Sequence, residues 1–367
     1  MSASLHNGPP VPAIRKGRGV SGAVANRFET AVSMPFDDGW DSIAEEIAAP
    51  PPVATELARD HSRSAMAWND SPDIGFDRSI NPYRGCEHGC VYCFARPTHA
   101  YLGYSPGLDF ETRLTYKPDL ARLLERELRR PGYVARPVAL GTNTDPYQPV
   151  ERTLSLTRSV LELLERFGHP ASIVTKSAGV LRDLDILRRM AGRGLVRVHL
   201  SVTTLDPLLA RRMEPRAATP ARRLAAIAGL AEAGVPVGVL AAPMIPALND
   251  CELERILAAA AEAGASSAGC ILLRLPLEVR GRFETWLHQH YPDRARHVLG
   301  LVREARGGRL NDPRFGHRFT GQGPYAAMLA QRFAVAARRL GLEERIGLET
   351  RHFAPPPAQA AQLALFG

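Results

Sequence analysis

Gly85-Cys86-Glu87-His88-Gly89-Cys90-Val91-Tyr92-Cys93-Phe94 is the stretch from which the rest of this chain is read. Three cysteines fall within eight residues, spaced Cys-x3-Cys-x2-Cys. Thiolates this close can grip one soft metal centre from a single loop. They cannot give each iron of a four-iron cluster its own sulfur, which normally takes four cysteines. The spacing therefore points to a four-iron cluster with one iron left open to something other than protein. The loop also leaves a structural zinc site open, with His88 or His99 completing a Cys3His set. A disulfide framework fits less well, because the chain has five cysteines, an odd number, and no secretory signal at Met1.

Outward from that loop, residues 76–280 alternate apolar runs with amphipathic stretches. Runs at 137–141, 171–175, 196–202, 236–241 and 268–273 are rich in Val, Ile or Leu, as parallel strands buried on both faces require. A first strand is expected over 78–83, directly before the cysteines. The helical period recurs at 119–130, 153–167, 180–192, 220–233 and 251–263. Gly168, Gly194, Gly234 and Gly264 stand just past four of these helices, where a left-handed residue is wanted. Six strand–helix units predict an α/β fold, a partial (β/α)6 barrel with its chemistry at the C-terminal ends of the strands. The cysteine loop follows the first strand and so belongs to that face.

Polar residues end the strand candidates. Thr142, Asn143, Thr144 and Asp145 follow the second, Thr175, Lys176 and Ser177 the third, and Ser201, Thr203 and Thr204 the fourth. As a group they suit a carboxylate and a ribose; taken singly, 142–147 reads as a turn with a helix cap and Lys176 as a solvated cation. The cysteine spacing, with aromatic Tyr92 just before the last cysteine, resembles the signature of the radical S-adenosylmethionine (SAM) enzymes. That resemblance implies a barrel of the radical SAM type, a [4Fe–4S] cluster on Cys86, Cys90 and Cys93, and SAM chelated by the open iron. With 142–145, Thr175-Lys176 and Ser201 added, the likeness narrows to the spore photoproduct lyase family and a related group of bacterial radical SAM proteins.

The narrower resemblance implies that Thr144, Asp145, Lys176 and Ser201 contact SAM and that Tyr92 stacks near it. It implies reductive cleavage of SAM to a 5′-deoxyadenosyl radical, action on DNA or a DNA lesion, and an electron donor such as flavodoxin or ferredoxin. Two departures count against the photoproduct reaction itself. Thr142 stands where the family carries a hydrogen-donating cysteine, and Phe94 where it carries a tyrosine. No catalytic acid or base is identifiable. Cys251 and Cys270 read as small core or surface residues.

A charge of +8 and a pI near 9.5 favour a polyanionic partner, DNA first and RNA as the alternative, although Arg- and Ala-rich coding produces the same balance. No apolar run approaches a membrane span, and cytoplasmic residence is expected. Residues 1–65 are expected to form a largely disordered arm with a short helix over 41–48, and the basic stretch Arg15-Lys16-Gly17-Arg18 reads as solvated or phosphate-facing. A core over 66–280 and a helical extension over 281–353 follow, the latter divided at Tyr291-Pro292. The tail over 354–367 is rich in Pro and Ala. It ends in Gln362-Leu363-Ala364-Leu365-Phe366, which resembles the pentapeptide that docks bacterial replication and repair proteins on the DNA sliding clamp. A clamp-associated iron–sulfur protein whose cluster is structural or redox-sensing is the competing class of function.

Overall fold

Ten strands form among the residues that the computed structural model describes, 17–20, 26–28, 53–344 and 347–355. They are β1 (Glu56–Arg59), β2 (Met66–Trp68), β3 (Arg78–Ile80), β4 (Tyr83–Arg84) and β5 (Arg113–Tyr116). The remainder are β6 (Val138–Leu140), β7 (Ala171–Thr175), β8 (Val196–Ser201), β9 (Val237–Met244) and β10 (Ser267–Leu272). The larger sheet runs β10-β9-β8-β7-β6-β3-β2, with β2 antiparallel to β3 and every other pair parallel. Six parallel strands in sequential order are the partial (β/α)6 barrel that the sequence predicts. A small second sheet, β1-β5-β4, lies apart from it.

The register stacks apolar residues strand to strand: Leu140 faces Ile173, Ile173 faces Val198, and Val198 faces Val237. All are at most 2% exposed. Helices cover this surface with residues three and four apart, such as Leu120, Leu124 and Leu128 of Leu120–Leu128, or Val160, Leu161 and Leu164 of Leu156–Arg166. Gly168, Gly194, Gly234 and Gly264 all take positive φ, as expected. The C-terminal extension divides at the expected proline into Val279–His290 and Pro292–Glu304, followed by Gly323–Arg339. On that last helix Leu329 is buried, while Met328 and Val335 are exposed.

Three expectations are corrected. The first strand stops at Ile80, because Pro82 has no N–H to continue a ladder, and Tyr83 and Arg84 pair with β5 instead. The helix expected over 153–167 is broken at Ser155, which takes φ +50° between Glu151–Leu154 and Leu156–Arg166; the Glu151 carboxylate accepts from the amides of Leu156 and Thr157. Arg18, read as solvated, is buried because three acceptors await it: Glu111 O, Val53 O and Thr55 Oγ1 at 2.8, 2.6 and 3.3 Å. The described parts of the arm thus lie against the core. The expected helix over 41–48 and the tail pentapeptide fall outside the described residues.

Among the described residues no helix is long and apolar enough to cross a membrane. His169 is fully buried between Tyr133 and Phe353; its Nε2 lies 2.8 Å from the Tyr133 hydroxyl, and burial lowers its pKa to about 4. The unfolded chain, titrating near 6.5, therefore binds more protons than the fold between those values. Stability should be fully present above pH 6.5 and fall by up to about 1.4 kcal/mol per pH unit from this residue as pH drops toward 4. Urea unfolding at pH 7 and 5 measures the slope, and His169→Gln should flatten it. An unchanged slope in that variant rejects the assignment.

Candidate functional site

The cysteine loop is built on two glycines. Gly85 and Gly89 take φ of +80° and +70°. A Cβ at Gly85 would come within 2.8 Å of Phe110 O, and one at Gly89 within 2.8 Å of Glu111 Oε2. The backbone between them is tied down on several sides. Cys86 N donates to Phe110 O, Glu87 N to Gln148 Oε1 and Val91 N to Met213 O, at 2.8, 2.8 and 3.0 Å. Gln148 Nε2 and the Thr144 hydroxyl both donate to Gly85 O, at 3.3 and 2.6 Å. Arg96, fully buried, donates to Cys90 O and Gly107 O at 2.9 Å each, and its third nitrogen meets Glu111 Oε1 at 2.5 Å.

A cavity of about 210 Å³ opens over this loop at the C-terminal ends of the parallel strands. Cys86, Cys90 and Cys93 line it, and so do Tyr92, Thr144, Asp145, Lys176 and Ser201. Every site residue expected from sequence therefore reaches one cavity, but their surroundings differ. Lys176 Nζ donates to the Ser201 hydroxyl and lies 5.8 Å from the Tyr92 ring centroid. Thr144 is spent on the cysteine loop. Asp145 accepts from Thr175 Oγ1, Lys176 N and Tyr147 N at 2.7, 2.8 and 2.9 Å, with His88 Nδ1 at 3.3 Å. Burial alone would raise the Asp145 pKa; His88, the Lys176 amide and the Thr175 hydroxyl outweigh it and hold the carboxyl at about 2.

Sequence reasoning missed Glu214 and Arg223. Glu214 is 2% exposed and accepts from the Tyr92 hydroxyl, from Thr203 Oγ1 at 2.7 Å and from Arg223, with Lys176 Nζ at 3.7 Å. Its burial is outweighed by Arg223 and then Lys176, which keep its pKa at about 2. Arg223 also donates to Ser201 O and Ala218 O at 2.9 and 2.7 Å. Both stand in a charged stretch, 211–223, that reads as surface.

The donor set fits an iron–sulfur cluster. Burial raises all three thiol pKa values, with Asp145 adding to the effect at Cys86 and Glu214 at Cys90. Thiolates are costly here unless bound metal supplies the opposite charge. Among the described residues no three His, Cys, Asp or Glu side chains converge as ligands of one metal ion would. The candidate fourth zinc ligands are engaged elsewhere: His88 with Asp145, and His99 Nε2 with Arg113 O at 2.9 Å. Three thiols from one loop lining a common cavity suit a cluster with a free corner.

A family profile described as the radical SAM superfamily matches residues 80–260, from the end of β3 through β9 and the helix after it. The chain belongs to the radical SAM superfamily. Members of this superfamily use a [4Fe–4S] cluster and SAM. The chain is 41% identical over 222 residues to an uncharacterized protein of Mycobacterium tuberculosis (strain H37Rv), covering 60% of this chain and 65% of that one, just under two thirds of its length. An uncharacterized protein of Methanocaldococcus jannaschii is 28% identical over 47% of this chain and 62% of its own. Among solved structures, a point mutant of spore photoproduct lyase superposes with a TM-score of 0.57 at 19% identity, covering 80% of this chain and 82% of that one. The same lyase complexed with a dinucleoside spore photoproduct gives a TM-score of 0.56 at 19% identity, covering 77% and 79%. At these identities the likeness is one of fold.

Gln148, fully buried, grips the cysteine loop through both ends of its amide. Gln148→Leu should cost about 1–3 kcal/mol in urea unfolding, through buried groups left unpaired, and should speed iron release to a chelator. Wild-type iron retention would show that this grip is dispensable.

Proposed function

We propose that this chain is a radical SAM enzyme that reductively cleaves SAM at a [4Fe–4S] cluster on Cys86, Cys90 and Cys93 and directs the resulting radical at DNA or a DNA lesion. The convergence of the buried Cys86 and Cys90 and the half-buried Cys93 with Lys176 and Ser201 in one strand-end cavity carries the reading. The cluster and SAM supply one-electron reduction of a sulfonium and a 5′-deoxyadenosyl radical that abstracts hydrogen from substrate. Lys176 offers a cation for the methionine carboxylate, and the Ser201 hydroxyl, which accepts from Lys176 Nζ and donates to Ala242 O at 3.0 Å, holds that ammonium in place. Glu214 and Arg223 fix that pair from behind. Tyr92 presents a ring face beside Lys176, while Leu240, Pro243 and Ile271 exclude water.

Reversal of a spore photoproduct is not the reaction we assign. Thr142 lines the cavity and exchanges hydrogen bonds with Asn81, but its O–H bond is too strong to return a hydrogen atom to a carbon radical. Among the described residues the cavity lining has no thiol besides the three ligands; Cys251 is exposed and Cys270 sits on β10. The choice of DNA is supported by the net charge of +8, by the fold shared with a lyase solved with a dinucleoside photoproduct, and by the terminal pentapeptide. A flavodoxin or ferredoxin is the proposed reductant, and the sliding clamp the proposed recruiter.

Anaerobically reconstituted protein with dithionite and SAM should release 5′-deoxyadenosine, while Cys90→Ala should lose both iron and product. An intact four-iron cluster that yields none would leave a structural or redox role. Irradiated or undamaged DNA should stimulate turnover; stimulation by tRNA alone would move the substrate to RNA. A peptide covering 358–367 should bind the sliding clamp and lose affinity at least tenfold with Phe366→Ala, the loss of one buried aromatic anchor. Equal binding of both peptides rejects docking.

A further inference from the structure

Arg274 carries a charge that the chain leaves unanswered. It stands two residues past the end of β10, and its guanidinium lines the cavity. Its Nε is buried without a hydrogen-bond partner, and no carboxylate pairs with it among the described residues. The nearby acid, Asp73, is already taken by Arg318, which donates through Nε at 2.8 Å and through Nη2, and by the Gly316 amide at 3.2 Å. Burial, and then Arg318, lower the Arg274 pKa. The guanidinium instead lies against two rings, 4.8 Å from the Phe319 centroid and 5.8 Å from that of Phe94. Phe94 is 52% exposed.

These three side chains come from both ends of the parallel array. Phe94 follows β3 through the cysteine loop, Arg274 follows β10, and Phe319 is joined to β10 by the Leu272 N to Phe319 O bond of 3.0 Å. The sheet does not close from β10 round to β3, and all three residues line the one cavity. Lys176 and Ser201 end the central strands β7 and β8, with β9 between them and β10. The Arg274 cluster is thus separate from the groups assigned to the cofactor's carboxylate.

We propose that Arg274, Phe94 and Phe319 form the substrate subsite and take one unstacked nucleotide, its phosphate on the Arg274 fork, which is seated by Phe319 between Arg274 and Arg318, and its base on the exposed Phe94 ring. This deepens the radical SAM reading and rests on it. A desolvated, unpartnered guanidinium selects an anion, and its planar fork matches phosphate oxygens. The Phe94 ring adds what a bare anion or an acidic peptide would not use, a π face for a base. The shared chemistry is a phosphodiester-linked base, from DNA or RNA.

The test is fluorescence anisotropy on cluster-loaded protein, without SAM or reductant, using a labelled oligo(dT) strand and an oligo(U) strand of equal length. Arg274→Gln should weaken binding about tenfold and reduce the slope of log affinity against log salt by about 0.7. Phe94→Leu and Phe319→Leu should each weaken it about fivefold or more with the slope unchanged. Arg274→Lys should keep the slope and recover part of the affinity. Iron content equal to wild type certifies each variant, and among the described residues the Arg274 Nε has no hydrogen bond to lose. The strand whose binding depends on Arg274 identifies the polymer. Wild-type affinity in Arg274→Gln and Phe94→Leu, or equal competition by polyglutamate, overturns the proposal. Because cleavage is not measured, a failure to form 5′-deoxyadenosine would sink the enzyme reading and leave this result standing.

Discussion

The carboxylate of Glu214 is the point at which the cavity's separate elements meet. Tyr92 comes from the cysteine loop, Lys176 from the end of β7, Thr203 from just beyond β8, and Arg223 from the helix Pro220–Glu232; all converge on its two oxygens. Burying a carboxylate and a guanidinium together is tolerable only when both are paired and their remaining hydrogen-bonding capacity is filled. Here that condition is met, since Arg223 spends its other nitrogens on the Ser201 and Ala218 carbonyls. One charge therefore fixes the spacing between the thiols and the strand ends. A neutral residue at 214 would leave Lys176 and Arg223 as two neighbouring cations with no carboxylate between them.

A second buried pair does the same for the far side of the loop. Arg96 and Glu111 are both fully buried, and between them they engage Cys90 O, Gly107 O and the Gly19 amide. Carboxylates lie near two of the cysteines, Asp145 by Cys86 and Glu214 by Cys90, while Arg96 and Lys176 act on Cys93. Buried thiols near carboxylates resist ionisation, so the loop is shaped for a metal body and poorly suited to a reactive free thiol.

Much of this was legible in the sequence, for identifiable reasons. Strands buried on both faces leave continuous apolar runs, and β7 was recovered to the residue because Ala171 and Thr175 bound an uninterrupted one. Helix ends were marked by glycines that alone take positive φ cheaply. The three cysteines were visible because ligand spacing is local. What stayed hidden depends on partners distant in the chain. Glu214 and Arg223 look like surface charges until Tyr92, more than a hundred residues earlier, is folded against them. Arg18 looks like part of a basic arm until Glu111 supplies its acceptor. The break at Ser155 has no propensity signal, because it is imposed by the Glu151 carboxylate, which the following turn claims. Arg274 sits within an apolar run, and only the absence of a counter-charge around it marks it out.

The outer rim of β10 has its own consequence. Beyond β9 the strand has no full neighbour, and Leu342–Glu344 closes it with short pairings: Ala268 N to Leu342 O at 3.0 Å, Glu344 N to Ser266 O at 3.2 Å, and a bridge between Ser267 and Glu343. This brief segment, with charged Glu343 and Glu344, acts as a gatekeeper on the end of a parallel sheet. Uncovered, the start of β10 around 266–268 would present free amides and carbonyls, a template for strand addition from another molecule. The residues after the last long helix thus cover an edge of the sheet, a task separate from anything that happens in its cavity.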